Sequence, residues 1–421
     1  MSLGARESPA QLRRCSILRA MLWGFVPNID VEATPGMLSI RAISLIAAIL
    51  TVALGCDSAD RNPAGNGNVP ETKVLVEKTA NALSAPPAFG LADPMNDALV
   101  VERAKAVLAC DWSTRHTFRP SSKCAALRPW YAAAETANAT LLNMTTDEDQ
   151  KVRYIAAEQL AGNFFPRERD PALAARVMDA LAAEKFEPAA WWLAKAVGFV
   201  DAEKTGLGKR QQELFTNLAS VKVKAQLLHY MQYINAAYHF EFTTRIARTA
   251  KDDTIREAAV TAFWLGMPRD KQAEVCKLWL DAVDDPVVTI AARAASMAGQ
   301  SSSSRADCSA HFDSLLAKIE RYVAAKGGLE RPEFAQGLEA IFTSPKSSPK
   351  QKRRAKAALA RILPNEAHHW FARSRALGVL VKDAGGGKKL AKKYLKDKDP
   401  LIAKRAQELI DEIKKEKKRK R

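Results

Sequence analysis

Two stretches of the chain superimpose on one another at an offset of 33 residues. Residues 252–266 (DDTIREAAVTAFWLG) and 285–299 (DPVVTIAARAASMAG) share Asp, aliphatic, Ala and Gly positions in register. Residues 149–162 (DQKVRYIAAEQLAG) keep the same order through Val152, Arg153, Ala156 and Leu160, and a degenerate copy occupies 399–410 (DPLIAKRAQELI). With Pro188 and Val223 placed between them, successive units begin near 152, 188, 223, 255 and 288. Each clear unit opens with Asp, a helix N-cap signal, and continues with apolar residues at i, i+3, i+4 and i+7. A short unit of this kind cannot bury its apolar face alone and has to stack on its neighbours. The expected fold is therefore all-α, an α-solenoid of helix pairs. The small Ala positions suit helices that approach closely around one shared core.

Composition agrees with this architecture and locates the charge. Of 421 residues, 47% are hydrophobic, enough for an extended core, and the 20 Gly and 20 Pro leave most of the length free for long helices. Lys and Arg exceed Asp and Glu by 17, yet residues 345–421 hold 25 basic and 8 acidic residues, which leaves 39 of each sign before them. A body that gripped nucleic acid along its length would spread positive charge over its binding face. The expected organisation is a helical N-terminal cap over 99–145, a repeat array over 146–344, basic C-terminal helical repeats over 345–410 and a basic tail over 411–421. The runs Ser301 to Ser304 and Thr343 to Pro349 read as longer loops that break the array.

The pattern Asp, x, x, Val/Ile, Arg, x, x, Ala, x, x, x, Leu, closed by Gly or Ala, resembles HEAT and HEAT-like repeats. The likeness is good over 146–300 and loose over 300–410. It implies an α-solenoid that binds proteins along an extended surface. It also implies that Asp149, Asp252, Asp285 and Asp399 cap the second helices of their pairs and that Arg153 and Arg256 occupy the family's arginine position. Thr289 and Ala403 depart from that position and interrupt an arginine ladder.

The N-terminal region reads as an export signal. Arg41 supplies its positive end, Ile43 to Leu54 its apolar stretch, and the run is too short for the roughly 20 apolar residues of a spanning helix. Val52-Ala53-Leu54-Gly55-Cys56 resembles the lipobox of bacterial lipoproteins, which implies acylation of Cys56 and cleavage before it. Ala53 stands where that motif usually has Leu. On this reading residues 1–36 are an upstream extension, translation starts at Met37, 37–55 is the signal peptide, and 56–98 is the lipid anchor with a disordered Pro- and Asn-rich tether. The location expected is the bacterial envelope, membrane-anchored and facing the periplasm, with Asp57 favouring the inner membrane by resemblance to a known retention signal.

Cysteine usage points the same way. Apart from Cys15 and Cys56 the chain has Cys110, Cys124, Cys276 and Cys308, an even number suited to an oxidising compartment. Cys110 and Cys124 flank the turn-like stretch Arg119-Pro120-Ser121-Ser122, while Cys276 and Cys308 lie 32 residues apart, one repeat period, and so in neighbouring units. Two disulfides are expected.

Enzyme signatures are missing from the sequence: it holds no His-Glu-x-x-His, Cys-x-x-Cys, Gly-x-Ser-x-Gly or phosphate-loop motif. No catalytic residue, metal or cofactor is expected. Two segments read as interaction candidates. Tyr230, Ile234, Tyr238 and Phe242 form an i+4 row, and together with Tyr233 they would make an aromatic stripe, either core or a tyrosine-lined peptide groove. Lys414, Lys415, Lys417, Lys418, Arg419, Lys420 and Arg421 would meet anionic lipid or cell-wall polymer. The expected function is a non-enzymatic, lipid-anchored envelope scaffold that recruits an unidentified protein partner. The alternative is a HEAT-like nucleic-acid-binding protein or DNA glycosylase-type enzyme with Trp191, Trp192 and Trp264 lining a base pocket. The neutral charge of residues 1–344 makes nucleic acid the poorer partner.

Overall fold

A computed structural model of the chain describes residues 94–113, 118–165, 167–300, 306–325, 327–383 and 387–419. The leader, Cys56, most of the tether, Ser301 to Ser304, Lys420 and Arg421 lie outside the described residues. Nearly all that is described is helical. Helix α1 (Pro94–Leu108) leads through a two-residue ribbon, β1 (Trp112–Ser113) antiparallel to β2 (Arg119–Pro120), into α2 (Leu127–Ala134). Helix pairs then follow: α3 (Asn138–Met144) with α4 (Gln150–Asn163), and α5 (Pro171–Ala183) with α6 (Glu187–Gly198). After the one-turn α7 (Ala202–Thr205), α8 (Gly208–Asn217) pairs with α9 (Val221–Ile234), α10 (Ala236–Thr249) with α11 (Asp253–Leu265), and α12 (Gln272–Ala282) with α13 (Val288–Gly299). The last pairs are α14 (Phe312–Ala324) with α15 (Glu333–Thr343), α16 (Pro349–Ile362) with α17 (Trp370–Asp383), and α18 (Gly387–Lys393) with α19 (Pro400–Arg419).

Second helices form one continuous row, α4 on α6, then α9, α11, α13, α15, α17 and α19, each packed on the next. First helices make a second, more loosely joined layer, with α5 bridging α3 and α8 and with α14 against α16. This is the stacked helix-pair solenoid expected from the repeat. The second helices begin at Gln150, Glu187, Val221, Asp253 and Val288, close to the positions set by the sequence period. The segment from Thr343 to Pro349 does not break the array. Ser348 accepts from the Gln351 amide and caps α16 in a capping box, and α15 packs on α17 across the join. Arg119 and Pro120 form strand β2 rather than a turn.

The Asp positions start helices by satisfying backbone amides that have no intrahelical partner. Asp149 accepts from the Lys151 amide, Asp252 from Ile255 and Asp399 from Leu401. Asp285 departs from this. The residue at the cap of α13 is Val287, and the Asp285 carboxylate accepts both from the Val287 amide and from Arg256, whose Nε lies 2.7 Å from Oδ2. Arg153 makes the matching reach, its Nε 2.9 Å from Glu184 Oε2 and its guanidinium donating to the Asp147 and Glu148 carbonyls. Each arginine thus ties the start of one second helix to the turn that precedes the next.

The even cysteine count resolves into Cys110–Cys124, which closes the β1–β2 ribbon, and Cys276–Cys308, which joins α12 to the entry of α14. The second bond crosses from one unit to the next in the loose first-helix layer, where packing holds neighbours least. In the chain-entropy picture closing a loop of this length stabilises by about 3–4 kcal/mol.

Small residues set the spacing of the tight row. Ala259, Ala292 and Ala295 are fully buried between second helices. Gly299 lies so close to α15 that a Cβ would come within 2.7 Å of the Gly337 carbonyl oxygen, and a Cβ on Gly266 would collide with the Gln232 carbonyl and come within 2.7 Å of Tyr233 Cα. Gly162 holds the corresponding place in α4 with open space around it. We therefore expect Gly266→Ala to destabilise the array by about 1–3 kcal/mol through overpacking against backbone. Gly162→Ala should be neutral or stabilise by up to about 1 kcal/mol, the helix-propensity gain. Urea unfolding of both variants checks this, and equal midpoints would refute the close-approach account.

Candidate functional site

The i+4 aromatic row does not lie on one helix. Asn235, at φ −119° and ψ 46°, ends α9 and precedes α10, so the row is cut in the middle. Asn235 is held there by its own side chain, which donates to the Val200 carbonyl at 2.8 Å and accepts from the Ala202 amide at 2.9 Å. Ile234 and Phe242 go to the core, and Tyr230 is half-buried with its ring 4.9 Å from that of Phe199. Tyr233 and Tyr238 stay exposed, at 40% and 41%.

The kink brings those two tyrosines to the same place. They line an open cleft of about 760 Å³ on the edge where second helices end, together with Arg167, Asp201, Trp264 and Arg269. The Tyr238 ring is held by what lies beneath it. Gly208 sits so close under Tyr238 that a Cβ there would strike the ring, and the Tyr238 and His239 rings are 4.9 Å apart. Arg167 donates to the Ile234 carbonyl at 2.7 Å and, with Arg169, lies 3.6–3.7 Å from the buried Asp201 carboxylate. Rigid aromatic side chains with a polar tip lose little entropy when a partner covers them, which is why such residues dominate interface energetics.

Next to this cleft is a group of residues of which the sequence singled out only Trp192 and Tyr230. Tyr154 and Glu158 are one turn apart on α4, Trp192 and Lys195 on α6, and Tyr131 reaches in from α2. The Tyr131 hydroxyl lies 3.5 Å from Glu158 Oε2. Lys195 Nζ is 5.0 Å from the centre of the Trp192 ring and 5.2 Å from that of Tyr230. Burial pushes the Glu158 carboxyl up to about 7 against the pull of Lys195, Tyr131 and Arg119. Burial likewise lowers the Lys195 ammonium to about 8, with Glu158 opposing it. The Tyr131 hydroxyl is raised by burial first and by the Glu158 charge second. A carboxylate and an amine, both poorly solvated and both walled by rings, therefore sit on the second-helix face, and Tyr230 links them to Tyr233 one turn further on.

Other candidate residues are dispersed. Trp191 and Trp192 touch edge to face at 4.8 Å on α6, whereas Trp264 lines the cleft and they do not. Lys414, Lys415, Lys417, Lys418 and Arg419 are exposed on α19, which continues as helix to Arg419. Lys414 pairs with Asp411 at 2.9 Å. His229 and His239 are held neutral by burial, each lowered to about 4, and serve as hydrogen-bond partners of Thr261 and Gln211.

No family model matches the chain, and no curated protein matches it. Among solved structures the chain is similar to an engineered protein, at 14% identity over 66% of this chain and 97% of that one with a TM-score of 0.20. It is also similar to the designed armadillo repeat protein YIII(Dq)4CqI, at 12% identity over 64% and 97% with a TM-score of 0.17.

The titration pattern gives a test. Between its ordinary value and about 7, Glu158 binds its proton more tightly folded than unfolded, so stability falls as pH rises through that window. His229 and His239 act in the opposite sense, because below their ordinary value the unfolded chain takes up protons that the folded one refuses. Replacing Glu158→Gln should raise stability at pH 8 by about 2 kcal/mol and leave the histidine slope uncovered, so that stability climbs more steeply from pH 4 to 6.5. Urea midpoints across that range check it, and an unchanged pH profile would remove the desolvated carboxylate.

Proposed function

We propose that the chain is a non-enzymatic protein-interaction scaffold of the bacterial envelope, lipid-anchored at Cys56 and facing the periplasm. Its partner is an unidentified protein that docks on the second-helix edge at Tyr233, Tyr238 and Trp264. The observation that carries the docking reading is the pair of exposed tyrosines held over an open cleft by a helix break and a glycine. Support for the compartment comes from the lipobox-like sequence and the two disulfides, which suit an oxidising environment. Among the described residues no helix is long and apolar enough to cross a membrane, so on this reading attachment falls to the acylated cysteine. The basic residues from Lys414 to Arg421 would add contact with anionic lipid or cell-wall polymer, and Asp57 favours the inner membrane. For the nucleic-acid alternative, Trp264 lines the cleft while Trp191 and Trp192 do not.

A photocrosslinking residue placed at Tyr233 or Tyr238 in cells should give one discrete protein adduct that the same residue at Lys209, 86% exposed on α8, does not give. The adduct from position 238 should disappear with Tyr233→Ala, while the circular dichroism spectrum is unchanged. Identical adducts from all three positions would rule out the cleft as the docking site. Cys56→Ser should move the chain from the membrane fraction to the soluble fraction, and retention in the membrane would dispose of the acyl anchor.

A further inference from the structure

Large apolar side chains that remain in water are few among the described residues, and three of them gather at the C-terminal end: Trp370 at 38%, Leu395 at 37% and Leu401 at 44% exposed. Trp370 opens α17, Leu401 is the second residue of α19, and Leu395 lies in the turn between α18 and α19. Helices α17 and α19 pack side by side in the second-helix row. The connecting turn is bound to the first turn of α17 by Arg373 to Asp397 at 2.6 Å and to the turn that precedes α17 by Lys398 to Glu366 at 3.3 Å. The three apolar groups therefore belong to one edge, at the beginnings of the last two second helices.

The charge around that edge is one-sided. Lys392, Lys393, Lys396 and Lys404 are exposed and have no carboxylate partner among the described residues. The acids nearby are already engaged: Asp397 by Arg373, Glu366 by Lys398, and Asp399 by the Leu401 amide. Free lysines alone would suit any polyanion. Two leucines and a tryptophan projecting among them select a surface with hydrocarbon just behind its phosphates, because an indole settles at headgroup depth and leucine gains by leaving water.

We propose that this edge docks on an anionic phospholipid bilayer, with Trp370, Leu395 and Leu401 entering the headgroup region while the four lysines meet lipid phosphates. The proposal rests on the envelope reading for its choice of surface, but it uses no residue of the acyl anchor. The test separates the two. The full chain carrying Cys56→Ser is mixed with vesicles of phosphatidylcholine alone, or of phosphatidylcholine with phosphatidylglycerol, and sedimented at low and high salt. Binding is expected on the anionic vesicles only and should weaken with salt. Replacing the four lysines by Gln should lower the partition coefficient at least about a hundredfold at low salt. The pair Leu395→Ser with Leu401→Ser should lower it roughly tenfold or more, with the circular dichroism spectrum at the assay temperature showing that the variant remains folded. Brominated lipid should quench wild-type tryptophan fluorescence more than that of Trp370→Phe. Equal binding to neutral and anionic vesicles, no binding to either, full binding by the leucine pair variant, or binding to duplex DNA in place of vesicles would each overturn the proposal. Acylation of Cys56, read by intact mass, would stand or fall independently.

Discussion

The distance between successive second helices governs the rest of the array. Two helices come to backbone contact only where side chains at the crossing are no larger than a methyl group, and the chain supplies Ala259, Ala292 and Ala295 in the row and Gly198, Gly266, Gly299 and Gly337 at close crossings. Once that spacing is set, the first helices, with bulkier residues between them, are left less intimately joined. The structure compensates where packing is weakest, and the Cys276–Cys308 bond sits in that outer layer. The arginine reaches from Arg153 to Glu184 and from Arg256 to Asp285 fix the turns between units in the same way.

Close approach also explains where the surface features arise. Where α9 stops at Asn235, the buried amide of Gln211 donates to the Val197 carbonyl at 2.8 Å and its carbonyl meets His239 Nε2 at 2.9 Å. Such a turn carries many backbone groups in need of partners, and the side chains of Gln211, Gln232 and Asn235 supply several of them and stiffen it. Rigidity at the turn then presents Tyr233 and Tyr238 in fixed positions. On the neighbouring units the tight row places Tyr154, Trp192 and Tyr230 close enough to exclude water from Glu158 and Lys195. The displaced titrations of those two groups follow from the packing of the repeats.

Much of the architecture could be read from the sequence because it repeats. An Asp before an apolar run, Ala at helical spacing and two cysteines one period apart are local patterns whose consequence is stacking, and the helix starts at Gln150, Glu187, Val221, Asp253 and Val288 followed from them. The candidate site was legible only in part. Tyr233 and Tyr238 stood out as aromatics, but the i+4 rule assumes an unbroken helix, and nothing in HYMQYINAAYHF marks Asn235 as a break until its amide is seen bound to Val200 and Ala202. Glu158 and Lys195 were not legible at all. Each looks like an ordinary charged residue on its own helix, and only stacking places them among shared rings. Asp285 misled in another way, since a motif position can be occupied by the expected residue and still serve the neighbouring arginine instead of the helix cap.

The charge of the C-terminal repeats shows the same difference between a count and a placement. From the sequence, residues 345–421 are a uniformly basic block. In the fold much of its first half is neutralised by carboxylates from adjoining helices: Lys346 by Asp307, Arg354 by Asp313 and Glu320, Lys356 by Asp383, Arg373 by Asp397, and Arg375 by Glu339. Several of these partners come from the preceding repeat, so the basic residues there act partly as fasteners between units. The positive field that reaches solvent is displaced toward α18 and α19, where Lys388, Lys389, Lys392 and Lys393 face water and no further repeat follows among the described residues to supply acids. A solenoid needs a polar outer face on its last unit to stay soluble. Here exposed lysines outnumber exposed acids on α18 and α19, so this end of the described array is also the one that an anionic surface would attract.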